Sequence, residues 1–470
     1  MNESIRPDTT GPRRMARRAA QCVRRNWVRI TKGILVTLIV LAVIHGIATV
    51  ILGRRYEAEL NRIRARGQPV EMADLAKLAG EPVPDAENAA AVFRKAFSMI
   101  EEPSMSKDLD ALDRLAGPGR ENRTPKVWSD AAAAAKRFDG VMRLMEQGAR
   151  MPACYFPIKW EDGASAQLPD YAMLRQLARV PAAFADLAAR DGKCDDALRY
   201  IGLSFRLAEC TRDPLLVGLL VRIALVRFGT GAVCELVERC GLSEVQARRA
   251  FDLLGSIDLE PQQVSALLGE RAFGIWMADV ANRPGVRAAV EAGAPVARRP
   301  GLRARIGAYF SRPFTYADGI CYLRLMEKEI DSAHVPFREL GTKGLDADSL
   351  EKETPFYATM ARTLIPVFPR VRMQTDTCIA ETAGARAALA LIAYKDHFGS
   401  YPGSLAEVTT KLGWKLPEDP FSGKDFIYKP QAKGFIVYSI GPNLKDDGGV
   451  APRERDNIET KGDIVISRNR

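Results

Sequence analysis

Three histidines, eight cysteines and a few neighbouring carboxylates are the side chains with reactive potential in this 470-residue chain. The histidines are His45, His334 and His397. His45 falls inside an apolar run, and neither of the others has a partner at metal-ligand spacing. His397 stands at an expected helix C-terminus, where the helix field favours an imidazolium. The cysteines are Cys22, Cys154, Cys194, Cys210, Cys234, Cys240, Cys321 and Cys378. None forms Cys-x-x-Cys, so neither a zinc site nor a thioredoxin-type dithiol is indicated. On one helix, Cys234 and Cys240 would be about 9 Å apart in rise and on different faces, too far to bridge. Most of the cysteines are expected to be small buried apolar residues. The carboxylate pairs Glu101-Glu102 and Glu351 with Glu353 read as solvated surface. No His-Glu-x-x-His, Gly-x-Ser-x-Gly, phosphate loop or Rossmann fingerprint occurs. A triad assembled in space leaves no such trace. The sequence therefore supplies no catalytic residue, and the expectation is a protein that is not an enzyme.

The elements around these residues are easier to read. Residues 33–53, GILVTLIVLAVIHGIATVILG, form a run of 21 without a formal charge. At 1.5 Å per residue that run spans about 30 Å, the depth of a hydrocarbon core. Eight Lys/Arg fall in the 20 residues before it and five in the 20 after it. The positive-inside rule then places a basic tail, 1–32, in the cytoplasm and the body outside, in a bacterial inner membrane. Val23-Arg24-Arg25-Asn26-Trp27-Val28-Arg29 has the look of a degenerate twin-arginine signal, with a small-x-small site at Gly46-Ile47-Ala48. The apolar run continues past that site through Val50-Ile51-Leu52, which favours an uncleaved anchor. Ala42 and Gly46 form a small-xxx-small pair that would let two anchors approach.

The formal charge of +10 also has an address. Residues 1–32 carry +7 and residues 54–66 carry +3, so residues 67–470 are neutral overall. A nucleic-acid surface on the body is thereby excluded as an expectation. The expected partners are membrane lipid, through 33–53, and a protein that the sequence does not identify.

From 54 to 372 the pattern is mostly helical, with Ala/Leu/Arg-rich amphipathic stretches. Ser243 with Gln246 makes a capping box, and Pro214 marks another helix start. Residues 283–301 and 333–355 are rich in Pro, Gly and charge and read as linkers. Residues 185–207, ADLAARDGKCDDALRYIGLSFRL, resemble a tetratricopeptide-type hairpin, with Ala188, Gly192, Ala197 and Leu198 at the small and apolar positions. An ordinary antiparallel helix pair explains the same residues.

Residues 373–470 change character. Asp376 is expected to cap a helix with the stripe Ile379, Ala383, Ala387, Leu391, Tyr394 and Phe398, ended by Gly399. Ser404 with Glu407 suggests a second capping box. Pro417 to Gly423 is turn chemistry. Phe426–Tyr428, Phe435–Ile440 and Ile464–Ile466 read as strands. The expected fold is mainly α: an N-terminal transmembrane helix, an α-helical middle domain, and a small α+β C-terminal domain with one long helix on a three-stranded antiparallel sheet.

The segments YKDHFGSYPGSL, LPEDPFSGKDFIY, GFIVYSIGPNLKDDGG and GDIVI, in that order, resemble the globular half of the type II secretion major pseudopilin. The likeness covers about a fifth of the chain. It implies the helix-on-sheet fold, and it is shared with membrane-anchored bacterial proteins that reuse this module. The loop Gly441 to Gly449 corresponds to that family's calcium loop. Asp446, Asp447 and Asp463, with a carbonyl near Asn443, are the oxygen donors it would offer calcium. Arg453 and Arg455 stand close in sequence, and a solvated acidic turn accounts for the same residues. Three functions remain open: a membrane-anchored scaffold working through protein contacts, an extracytoplasmic hydrolase-like enzyme with a site assembled in the helical domain, and a secretion-apparatus component.

Overall fold

The computed structural model describes residues 10–117, 123–282, 301–431, 434–451 and 462–469. Helices α1 to α11 cover Thr10–Ala65, Ala76–Ala79, Ala90–Ile100, Ser106–Ala116, Pro125–Ala135, Asp139–Ala149, Tyr171–Arg190, Cys194–Ala208, Leu216–Arg239, Glu244–Gly255 and Glu260–Asn282. Helices α12 to α16 cover Leu302–Ser332, Ala347–Glu353, Thr359–Leu364, Val367–Phe398 and Leu405–Leu412. Strands β1 to β3 are Ile427–Gln431, Gly434–Ser439 and Ile464–Asn469. The helix-rich class with a small antiparallel sheet near the C-terminus is the one the sequence implied. The linker expected at 283–301 lies, apart from Gly301, outside the described residues, as do Arg453 and Arg455.

Contacts divide the chain into two units, Met1–Asn61 with Ala278–Ile320, and Arg62–Met277 with Cys321–Arg470. In the first, α1 carries the apolar run, and none of its most apolar window is buried. Its large side chains from Ile34 to Ile51 are about half exposed, as far as a helix surface allows. Beside it runs the first half of α12. The His45 ring meets Tyr309 at 4.7 Å and Phe310 at 5.5 Å between centroids. Tyr56 lies against Tyr316 and over Gly319.

The second unit is organised around α9. This helix is also long and apolar, but two thirds of its apolar window is buried. It packs on α7, α8 and α15. Leu219, Leu225, Val233 and Leu236 are fully enclosed. Helices α7 and α8 form the hairpin expected at 185–207, turned at Gly192 with φ +74°. Helix α10 starts on the Ser243–Gln246 capping box. The sheet is a meander, β1-β2-β3, antiparallel throughout, with an irregularity at Val437/Tyr438. Phe435 and Val437 are fully buried, and α15 packs on β2 and β3.

Three local expectations change. Asp376 does not cap a helix, because α15 begins at Val367 and places Asp376 in its interior. There it is buried and receives a 2.5 Å hydrogen bond from Arg372 Nε. The remaining Arg372 nitrogens donate to the carbonyls of Ser332 and Val335, so each guanidinium nitrogen has an acceptor. Ser404 occupies the α16 cap position without a side-chain bond, while Glu407 reaches back to the Gly403 N–H at 2.9 Å. The linker expected at 333–355 contains the short helix α13.

Sequence spacing also gave no sign that Cys154 and Cys210 are joined by a disulfide, with Cα atoms 5.1 Å apart. Closing 56 residues of chain removes freedom from the unfolded state worth about 4 kcal/mol. Cys210→Ser is expected to lower unfolding free energy by about 2–4 kcal/mol. Non-reducing peptide mapping should recover the 154–210 cross-link from the parent protein. A variant as stable as the parent would contradict this.

Candidate functional site

The disulfide anchors one end of the connection between α8 and α9, residues 209–215. Polar contacts hold the rest of it. Gln262 Nε2 donates to the Thr211 carbonyl. Glu270 Oε1 accepts from the Leu216 N–H at 3.3 Å. Arg222, 2% exposed, donates to Glu209 at 2.9 Å, Gln262 at 3.1 Å and the Asp258 carbonyl at 3.0 Å. Two glycines let neighbouring helices close on this loop. A Cβ at Gly218 would overlap the Asp213 carboxylate, and one at Gly269 would overlap the Pro214 carbonyl.

A cavity of about 50 Å³ opens beside the loop. Trp160, Phe156 and Ile158 supply apolar wall, while Arg212 and Asp213 supply charge. That volume holds a few water-sized molecules. Burial pushes the Asp213 carboxyl up to about 6, even though the Tyr171 hydroxyl and the Leu215 N–H favour its anion. Burial, then the adjacent Asp213 charge, pushes Tyr171 up as well. Glu270 is also raised by burial, with the Leu216 N–H pulling the other way. Asp213 Oδ1, the Tyr171 hydroxyl and Trp160 Nε1 are buried and have no hydrogen-bond partner of good geometry among the described residues. A carboxyl that titrates near neutrality beside a phenol is a proton-exchanging pair, the chemistry of a general acid or base. Sequence reading passed over Asp213, whose one local signal is a charged residue opening the apolar run Pro-Leu-Leu-Val-Gly-Leu-Leu.

The aspartates singled out in the sequence lie together in the connection between β2 and β3. Asp463 is fully buried and accepts from the Asp447 N–H at 3.1 Å and the Gly449 N–H at 2.6 Å. Asp447 accepts from the Gly462 N–H at 2.7 Å and Asn443 Nδ2 at 2.9 Å. Asp446 accepts from the Gly448 N–H at 2.8 Å and the Tyr438 hydroxyl at 3.0 Å. These carboxylates face amide and hydroxyl donors of their own loop, and the bonds staple that loop shut. Among the described residues no three His, Cys, Asp or Glu side chains converge as a metal-ligand set. His397 pairs with Glu244 at 2.9 Å on the surface.

Comparisons with protein-family models, curated proteins and solved structures find no match to this chain.

The Asp213 site makes a pH prediction. The folded pKa lies above the ordinary 3.8, so the fold gains from a protonated carboxyl. That contribution is complete below pH 3.8 and is lost as pH rises through about 6. Relative to Asp213→Asn, the parent should lose about 2 kcal/mol of stability between pH 4 and pH 7, read from urea midpoints. Parallel pH profiles for the two proteins would contradict it. Gly218→Ala should cost about 1–3 kcal/mol by overpacking the same carboxylate.

Proposed function

We propose that this protein is a single-pass inner-membrane protein of a bacterium, with residues 1–32 in the cytoplasm and its body outside, acting through protein contacts. The observation that carries the body's location is the Cys154–Cys210 disulfide. Such bonds persist where the compartment is oxidising and are rare in the cytosol. The flanking charge and the uncovered apolar surface of α1 support the anchor.

The helix-rich second unit fits a scaffold. Phe356 and Tyr357, between α13 and α14, form an edge-to-face pair on the surface, with Phe356 89% exposed. Exposed aromatic pairs of this kind are favoured contact points for partner proteins. The C-terminal module, α15 on the β-meander, resembles the globular half of the major pseudopilin. On this reading the module contributes its fold to the scaffold.

A second reading is an extracytoplasmic hydrolase-like enzyme. Asp213 favours it, as a carboxyl titrating near neutrality beside a phenol and a cavity. Asp213 and Tyr171 would then exchange the proton.

Protease added to sealed spheroplasts tests the proposal. Digestion of the body with retention of a fragment containing residues 1–32 is the expected result. Survival of the body while an exported control protein is degraded would overturn it.

A further inference from the structure

Cys194 and Cys240 are 46 positions apart in sequence, and the fold brings their thiols to one place. Cys194 is the first residue of α8, and Cys240 follows the last turn of α9. The tight turn between α7 and α8 receives both sulfurs. The Cys240 thiol donates to the Ala189 carbonyl at 3.7 Å, and the Cys194 thiol donates to the Gly192 carbonyl at 3.5 Å. The two thiols are also hydrogen-bonded to each other. Neither is in a disulfide in this structure. Among the described residues no third His, Cys, Asp or Glu joins them as a metal-ligand set.

Position divides the work between the two sulfurs. Cys240 is 6% exposed, whereas Cys194 is partly open to solvent. Burial first, then the bond to Cys194, pushes the Cys240 thiol up to about 12. Cys194 is therefore the sulfur that a reagent from solvent meets, and Cys240 stands behind it as the resolving thiol. Sulfurs already in contact reach the bonded length of about 2.05 Å by rotation of the side chains. The Cys154–Cys210 disulfide lies at the other end of α8, two residues beyond Ala208. The 15 residues of α8 span about 22 Å, so the two cysteine pairs sit at opposite ends of one helix.

We propose that Cys194 and Cys240 form a second disulfide in the exported body, closing the α8–α9 hairpin at its open end. The proposal rests on the body lying in an oxidising compartment. The oxidant is an external disulfide, carried by a small molecule or by a protein. The Cys194 thiolate attacks one of its sulfurs, forms a mixed disulfide and expels one thiolate. Cys240 gives its proton to solvent, attacks the Cys194 sulfur and expels the second thiolate. The two protein thiols lose two electrons and two protons, and the oxidant leaves as two thiols. With both bonds closed, α8 is tied at one end to residue 154 and at the other to the end of α9.

Whole cells producing the full-length protein are quenched in acid and unfolded in excess N-ethylmaleimide, and the chain is mapped by mass spectrometry without reduction. The 194–240 cross-linked peptide should exceed its alkylated form by about tenfold or more, alongside the 154–210 cross-link. In folded protein that has been reduced and then given glutathione disulfide, Cys240→Ser should trap glutathione on Cys194. Cys194→Ser should leave Cys240 unmodified under the same conditions. Alkylated Cys194 and Cys240 beside an intact 154–210 cross-link would overturn this proposal and leave the body's location standing. Alkylation at all four positions would overturn both. Glutathione on Cys240 in the Cys194→Ser protein would contradict the order of attack.

Discussion

Among the described residues, nothing covers a dozen large apolar side chains of α1, from Ile34 to Ile51. Taking a fully exposed side chain of this kind out of water is worth about 1.5–3 kcal/mol, and these are about half exposed, so the run is worth about 9–18 kcal/mol to whatever covers it. That is on the scale of the net stability of an ordinary domain. On the proposed anchoring, a lipid core would supply the cover over the required length, and α1 satisfies its own backbone hydrogen bonds, as a spanning element must. On the proposed topology, the compartment of the body, its disulfide and its protein contacts all follow from this one helix.

The second unit meets a different constraint. Its central helix α9 is also long and apolar enough to cross a membrane, though less apolar than α1, yet two thirds of its apolar window is covered by protein. What distinguishes the two is the polar bracing around α9. Arg123, nearly fully buried, reaches Asp186 at 2.5 Å and Glu235 at 2.9 Å. Arg222 ties the α8–α9 connection to α11. Burying such charges is costly unless every partner is in place, so these groups favour one arrangement of the helices over its competitors. Asp213 is the exception, raised toward neutrality because its partners are fewer and its burial is deep.

Legibility followed the range of the interactions. The apolar run, the Ser243–Gln246 box, the Gly192 turn and the three strands are set by neighbours in sequence, and the sequence placed them. The start of α15 was misplaced because an aspartate that resembles a cap is bound by an arginine four residues earlier. The disulfide joins positions 56 apart and has no local signature. The Asp446, Asp447 and Asp463 loop was found as a cluster. Its hydrogen bonds to its own backbone became visible only in three dimensions.

Alkaline carbonate extraction of membranes, followed by intact-mass measurement, addresses the anchor most directly. The account requires the chain to stay in the pellet at its full 51.7 kDa. Release of the full-length chain into the supernatant, or a product shortened by cleavage after Ala48, would contradict it.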